Sequence, residues 1–440
     1  MKRRDFNKVG VQGFALATLF QSAKAAKLPY KDYGPLVKDP DGVIDLPKGF
    51  DYTAISMTDE IMSDGLPVPA RHDGMAAFAG PKGTIRLVRN HENNPEKAKS
   101  DLPLLKQVNP GKVYDRGFGK HPSMGGTTTL TYDPVHRKLV DHHMSLAGTI
   151  RNCSGGPTPW GSWITCEENL SRASDRFEQD HGYCFEVPAN AEGLVNPEPL
   201  KEMGRFNHEA IAIDLRSGIV YLTEDRPDGL LYRYLPKDRR HLNLGGQLQA
   251  LCIVDQPSFN TSNRPKRVME FGQKFSVKWI DLDNVTAPND DLRFRGIKAG
   301  AASFSGGEGI WYHEGQIIFT CKSGGKSGLG QTFIYRPDEF SGDRFKEDGT
   351  VELFVEPNDK DVYNSGDNLT VHPNGEVYIC EDGRDLNGVI RISPEGKVMR
   401  FLRNRMNSSE MCGGSFSADG KIFFVNMQSP GITFAIHGPF

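Results

Sequence analysis

One short pattern recurs along the chain and restricts its fold more than any other feature: a β-type run that ends in a polar, mostly acidic triplet. Ile85-Arg86-Leu87-Val88-Arg89-Asn90 runs into His91-Glu92-Asn93, Trp163-Ile164-Thr165 into Cys166-Glu167-Glu168, and Val220-Tyr221-Leu222 into Thr223-Glu224-Asp225. Ile317-Ile318-Phe319-Thr320 leads to Cys321-Lys322-Ser323, Val377-Tyr378-Ile379 to Cys380-Glu381-Asp382, and Ile422-Phe423-Phe424-Val425 to Asn426-Met427-Gln428. Four of these six triplets carry Glu at the centre. A second feature sits about a dozen residues upstream of each run: Asp73-Gly74, Cys153-Ser154, His208-Glu209, Gly307-Glu308, Asp367-Asn368 and Cys412-Gly413. Turn signals separate the two, clearest in Pro373-Asn374-Gly375 and Ala418-Asp419-Gly420.

Each copy therefore reads as a polar-headed strand, a tight hairpin and a second strand closing on the triplet. Six such copies predict an all-β chain, a six-bladed β-propeller with inserted loops covering one face. A β-sandwich would account for the strands but not for acidic residues returning at one place in every unit. The wide gaps from Asn93 to Gly125 and from Tyr234 to Gly300 are expected to be insertions between blades. The 48 glycines and 28 prolines suit many short strands joined by turns.

The first residues stand apart from this pattern. Arg3-Arg4, Phe6 and Lys8 match a twin-arginine export signal, followed by a weakly apolar stretch and the small-x-small site Ala23-Lys24-Ala25. The stretch is too short and too polar to span a bilayer, which takes roughly 20 apolar residues. Residues 1–25 are thus expected to be a signal peptide and residues 26–440 a single propeller domain without a membrane anchor, delivered folded to the periplasm by the twin-arginine machinery and working as a monomer. A net charge of -3 gives no basic footprint for nucleic acid. Seven cysteines is an odd count, so at least one stays free or binds something.

In a propeller, one position of every blade faces the same axis, and a linear repeat of carboxylates becomes a ring. Like charges a few ångströms apart do not all stay ionised, so some are protonated or cations neutralise them. Oxygen donors in a wet channel suit calcium, magnesium or manganese. The candidates are Glu92, Glu167, Glu209, Glu224, Glu308 and Glu381, with Asp73, Asp225, Asp382 and Asn368 as a second rank. Cys153, among glycines that let the backbone approach a ligand, adds a softer donor that favours iron or zinc. Lys322 replaces Glu at the centre of the fourth triplet, and Arg226 and Arg384 follow the third and fifth. These cations either balance charge or clamp an anionic substrate against bound metal. No nucleophile elbow and no P-loop occurs, which argues against serine-hydrolase and nucleoside-triphosphatase chemistry.

Longer strings add a resemblance. Asn152-Cys153-Ser154-Gly155-Gly156-Pro157-Thr158-Pro159-Trp160-Gly161 with Thr165-Cys166-Glu167-Glu168, Phe206-Asn207-His208-Glu209-Ala210, Asp367-Asn368-Leu369 and Cys380-Glu381-Asp382-Gly383 are similar to the signature of PhoX-type alkaline phosphatases. That resemblance implies a twin-arginine-exported phosphomonoesterase using calcium and iron, with a cysteine among the iron ligands and a metal-bound oxo or hydroxide group as nucleophile. It implies Cys153, Glu209 and Glu308 on the iron side, and Glu92, Glu167, Glu224 and Glu381 for calcium or the cluster edge. Lys322 and Arg384 become the candidates for stabilising the phosphoryl oxygens of a small phosphate ester. Two other uses of such a channel stay open: hydrolysis of a lactone or phosphodiester, and non-catalytic binding.

Overall fold

The runs read above form strands because they are rich in β-branched and aromatic residues and are bounded by turns. The computed structural model describes residues 31–440, apart from 96–107, 119–122, 175, 342–343 and 346–347. The proposed signal peptide lies outside the described residues. All described strands fall within Tyr33–Phe440, and one α-helix, Leu292–Lys298, is described beside them.

The strands follow one another as antiparallel meanders. The first comprises His72–Ala79, Ile85–His91, Gly125–Asp133 and Lys138–Thr149, and the second Asn152–Pro157, Ser162–Glu167 and Cys184–Pro188. The third runs through His208–Ile213, Val220–Glu224, Gly229–Pro236 and Gly246–Ile253, and the fourth through Gly307–His313, Gln316–Cys321, Gln331–Arg336 and Thr350–Val355. The fifth has Gly366–Val371, Val377–Glu381, Gly388–Ile392 and Val398–Asn404, with Ile44–Pro47 added at its outer edge. The last is Met411–Phe416, Ile422–Met427 and Ile432–His437, completed by Asp51–Met57 from the other end of the chain.

The first strands of successive meanders pack side by side, and Met411–Phe416 returns against His72–Ala79 to close the ring. This is an all-β, propeller-like arrangement. Its sheets are not six separate blades, however. Lys274–Asp281 pairs with both Gly246–Ile253 and Thr350–Val355, which joins the third and fourth meanders into one ten-stranded sheet, and the second meander has only three strands. The two wide gaps also differ from expectation. Asn93 to Gly125 lies inside the first meander, while Tyr234 to Gly300 supplies two strands as well as the helix.

Apolar side chains of neighbouring meanders interleave, so the middle strands are buried on both faces and read as continuous hydrophobic runs. Ile318 and Ile334 meet Leu369, Ile379 and Ile390 between the fourth and fifth meanders. Truncating one such side chain to Ala typically costs about 2–5 kcal/mol.

Every first strand carries the same irregularity near its start. The register slips by one residue between His72 and Met75, Asn152 and Gly155, His208 and Ile211, Gly307 and Ile310, and Gly366 and Leu369. In the last meander the slip comes one residue later, between Cys412 and Ser415. Such a bulge bends the strand, re-aims a side chain and frees backbone groups from the ladder. Those groups find partners in the preceding meander. Asn90 Nδ2 donates to the Ser154 carbonyl at 2.7 Å, Thr320 Oγ1 to that of Asp367 at 2.7 Å, and Asn426 Nδ2 to that of Asp73 at 2.6 Å. The packing there excludes side chains: a Cβ on Gly74 would lie 2.5 Å from Ser154 Cα, and one on Gly309 would lie 2.4 Å from Leu369 N.

Candidate active site

The bulges aim the second residue of the first strands at one cavity of ≈ 620 Å³. Asp73, Cys153, Glu209, Glu308 and Asp367 line it. Cys412, the equivalent residue of the last meander, does not. Its bulge begins after it, so it stays in register and its thiol contacts the His72 carbonyl at 3.0 Å.

A second tier comes from the residue that follows each second strand: Glu92, Glu168, Asp225, Lys322, Asp382 and Gln428 all line the cavity. Side chains along a strand alternate in direction, so a one-residue offset decides which face a carboxylate serves. That offset corrects three of the predicted ligands. Glu167, Glu224 and Glu381 end their strands and turn away from the cavity. Glu167 accepts hydrogen bonds from Ile150 N at 3.0 Å and Gly182 N at 2.8 Å, and pairs with His181 at 2.6 Å. Glu224 accepts from the Tyr232 hydroxyl at 2.8 Å, and Glu381 from Asn364 N at 2.9 Å and from Arg400. Each is a buried acceptor that ties loops together. Of the second rank, Asp73, Asp225 and Asp382 reach the cavity, while Asn368 accepts from Gly413 N at 2.7 Å. Arg384 is exposed and absent from the lining, so it is no candidate for holding a phosphoryl group there.

A third tier went unread in the sequence. The residue just before each first strand contributes Arg71, Arg151 and Glu410 to the lining. Arg71 (φ 57°) and Arg151 (φ 48°) adopt the left-handed conformation, sparsely populated for a side chain of this size. Glu168, Asp367 and Gln428 were likewise missed. The signal that marks them is their fixed offset from strand ends, visible only once those ends are known.

The cavity wall holds nine carboxylates against three cationic side chains. The cations are unevenly shared. Glu92 takes Arg71 at 2.5 Å and Arg151 at 2.7 Å, and Arg151 also reaches Glu168 at 2.5 Å. Lys322 alone faces Glu308 at 2.9 Å, Asp382 at 3.3 Å, Asp367 at 3.6 Å and Asp225 at 4.0 Å. Burial pushes Glu92 up, but Arg151 and Arg71 outweigh it and hold the carboxyl below its ordinary range. Burial, with Asp225 and Asp367 beside it, raises Glu308 far above that range. Burial likewise raises Asp367 to about 6 and Glu168 to about 8, and it lifts the Cys153 thiol well up, with Glu209 and Glu168 adding to it.

Donor atoms cluster tightly in this wall. Cys153, Glu168 and Glu209 offer ligand atoms within 4.8 Å of one another, as do Asp73, Glu92 and Glu410, then Glu209, Glu308 and Asp367, then Asp367, Asp382 and Glu410. The buried Glu308 Oε1 has no aligned hydrogen-bond donor despite its nearness to Lys322. Oxygen-rich sets with uncompensated charge fit hard cations, and the set containing Cys153 fits a softer one such as iron.

Fold and cavity define a class: a propeller-like protein whose axial site gathers carboxylates around a few fixed cations, suited to handling an anion. The sequence matches the family described as alkaline phosphatase PhoX over residues 31–141 and 132–431. The chain belongs to that family and is a phosphoric monoester hydrolase of its class. Among solved structures it is similar to Pseudomonas fluorescens PhoX in complex with vanadate, a transition state analogue, with a TM-score of 0.69 and 18% identity over 90% of this chain and 96% of that one. A gluconolactonase of Xanthomonas campestris aligns with a TM-score of 0.43 and 12% identity over 93% of this chain and 99% of that one. No curated protein matches the chain in sequence.

Proposed function

We propose that the protein is a periplasmic, metal-dependent alkaline phosphatase acting on small phosphate monoesters in the channel of a propeller-like ring of six meanders. The observation that carries this reading is the excess of nine carboxylates over three cations in one cavity. Cys153, Glu168 and Glu209 would hold iron, and Asp73, Glu92, Glu308, Asp367, Asp382 and Glu410 would hold calcium. When bound, such ions neutralise the wall and act as Lewis acids toward phosphoryl oxygens.

The chain's own part is orientation and charge. Arg151 is pinned between Glu92 and Glu168, and Arg71 is fixed on Glu92, so both present guanidinium groups at a set place to a bound phosphoryl group. Lys322 supplies the remaining positive charge, held by its four carboxylates without a loose rotamer to freeze. Asn407, Ser408 and Ser409 line the mouth, where they offer hydrogen-bonding groups to the ester's alcohol portion. The Pseudomonas protein holds vanadate, a transition state analogue, and a cavity of ≈ 620 Å³ takes a group of that kind with room for a small leaving alcohol.

Purified protein is expected to hydrolyse p-nitrophenyl phosphate at alkaline pH, to contain iron and calcium by elemental analysis, and to stop when chelated. Protein loaded with both metals yet inert toward phosphomonoesters would overturn the reading, and turnover of a diester or lactone in the same panel would replace it. Export is tested separately. Lys at both Arg3 and Arg4 should leave the protein in the cytoplasm, and periplasmic recovery of that variant would remove the twin-arginine route.

A further inference from the structure

Behind the cavity lies a second cluster that the phosphatase reading does not use. Cys166, Cys184 and His208 are wholly buried, and their donor atoms lie within 4.8 Å of one another. They come from two meanders. Cys166 and Cys184 stand opposite each other on the paired strands Ser162–Glu167 and Cys184–Pro188, and His208 opens the first strand of the next meander. At the position of Cys166, one residue before the end of the second strand, the other meanders place Asn90, Thr223, Thr320, Cys380 and Asn426. The Asn and Thr side chains bind a bulge carbonyl of the following meander. Cys166 instead directs its sulfur to Cys184 Sγ at 3.6 Å.

The third member is oriented as a ligand. His208 Nε2 lies 3.0 Å from the Gly204 carbonyl, which makes it the protonated nitrogen and leaves the Nδ1 lone pair facing Cys184 Sγ at 3.4 Å. A histidine fixed in this way by a backbone carbonyl on its far nitrogen is the usual partner arrangement of a metal ligand. Two of the three spacings, 3.6 Å between the sulfurs and 3.4 Å from Cys184 Sγ to His208 Nδ1, agree with a tetrahedral ion. Bonds of about 2.3 Å to sulfur and about 2.0 Å to nitrogen place two sulfurs about 3.8 Å apart, and a sulfur and a nitrogen about 3.5 Å apart.

We propose that Cys166, Cys184 and His208 form a second metal site, distinct from the cavity, which takes one thiophilic d10 ion, zinc(II) or copper(I). Both thiols lose their protons to solvent on binding, so zinc with two thiolates and a neutral imidazole is uncharged and copper(I) leaves one negative charge; the apolar surroundings of Ile164, Leu200, Met203 and Phe206 therefore favour zinc. A Cys166–Cys184 disulfide would also use the two sulfurs. It would leave the buried His208 Nδ1 without a partner, whereas the metal satisfies all three donors. The site reaches the cavity through the backbone. The Cys153 thiol contacts the His208 carbonyl at 3.3 Å and the Cys166 carbonyl at 3.8 Å, so an ion here clamps the strands that seat the cavity's own sulfur.

The test uses full-length protein, stripped with chelator under reducing conditions and then held in excess calcium, which occupies the carboxylate cavity. One equivalent of Zn2+, or of Cu+ without oxygen, should remain bound through gel filtration, and X-ray absorption at its edge should report sulfur and nitrogen neighbours. Cys184→Ala should lose that equivalent, whereas Cys153→Ala should keep it with its sulfur signature intact. The proposal is overturned if wild-type protein holds neither ion under these conditions, or if it carries the Cys166–Cys184 disulfide as isolated from the periplasm. A folded Cys184→Ala that still binds the ion through sulfur, or loss of the ion in Cys153→Ala, would equally assign the metal elsewhere. The wild-type spectrum decides the matter should the variants fail to fold.

Discussion

Two halves of the cavity wall are built on one backbone plan and end with opposite electrostatics. In the first and second meanders, the residue before the first strand is Arg71 or Arg151, and each guanidinium neutralises a carboxylate of the tier above. In the fourth and fifth, the same position holds Gly306 (φ 67°) and Ser365 (φ 53°), in the same left-handed conformation but without a charge. The carboxylates of that half therefore share Lys322 alone. Four of the six meanders share this turn, and the side chain placed on it decides how the charge of the neighbouring carboxylates is met. One half pairs carboxylates with fixed guanidinium groups, and the other leaves them to share a single ammonium.

The largest effect on this contrast should come from Lys322→Met, which leaves four carboxylates without their only cation. Loss of one such stabilising group typically costs about 10²–10³ in turnover, read as kcat/KM on p-nitrophenyl phosphate. A change under about threefold would show that Lys322 only balances charge.

Ser365→Arg moves the arginine plan into the lysine half. A new positive charge at this range should weaken calcium binding about tenfold, measured by calorimetry on stripped protein. Unaltered affinity would mean that the two halves do not differ in the way argued.

Glu92 and Asp367, one from each half, should also respond oppositely to pH once metal is removed. Asp367 is raised from 3.8 to about 6, so its contribution to stability is complete below 3.8 and is lost as pH rises through about 6. Glu92 is lowered from 4.5, so its contribution is present above 4.5 and is lost as pH falls through its depressed value. Stripped protein should thus melt a few degrees lower at pH 8 than at pH 5, with calcium or Asp367→Asn reducing the fall. A melting temperature that climbs from pH 5 to pH 8 would contradict this assignment.

The smallest effect is expected from Arg384→Ala. This side chain is exposed and outside the lining, and activity should stay within about twofold of wild type. A hundredfold loss would return it to the site.

Much of this site was legible from residue types alone. Glu92, Cys153, Glu209, Glu308 and Lys322 all reach the one cavity, because their recurrence ties them to one place in each unit. Glu167, Glu224 and Glu381 were not, since an acidic pair such as Glu167-Glu168 does not tell which member ends the strand, and one residue of register exchanges the faces. Arg71 and Arg151 follow no period, as their position carries five different residue types around the ring. The merged sheet was hidden for another reason. Lys274–Asp281 alternates like any strand, and its second partner, Thr350–Val355, is a tertiary choice that no local pattern records.

The pairing of Asp51–Met57 with Ile432–His437 sets an order of events. The last meander is incomplete until both ends of the chain have been made, and Asp73, Glu92, Glu410 and Gln428 converge only when that ring closes. A growing chain on the ribosome thus has the parts of the site but not the site. Any ion held jointly by the first and last meanders must enter after Ile432–His437 has been made, and a nick that separates those two strands would open the cavity at its seam.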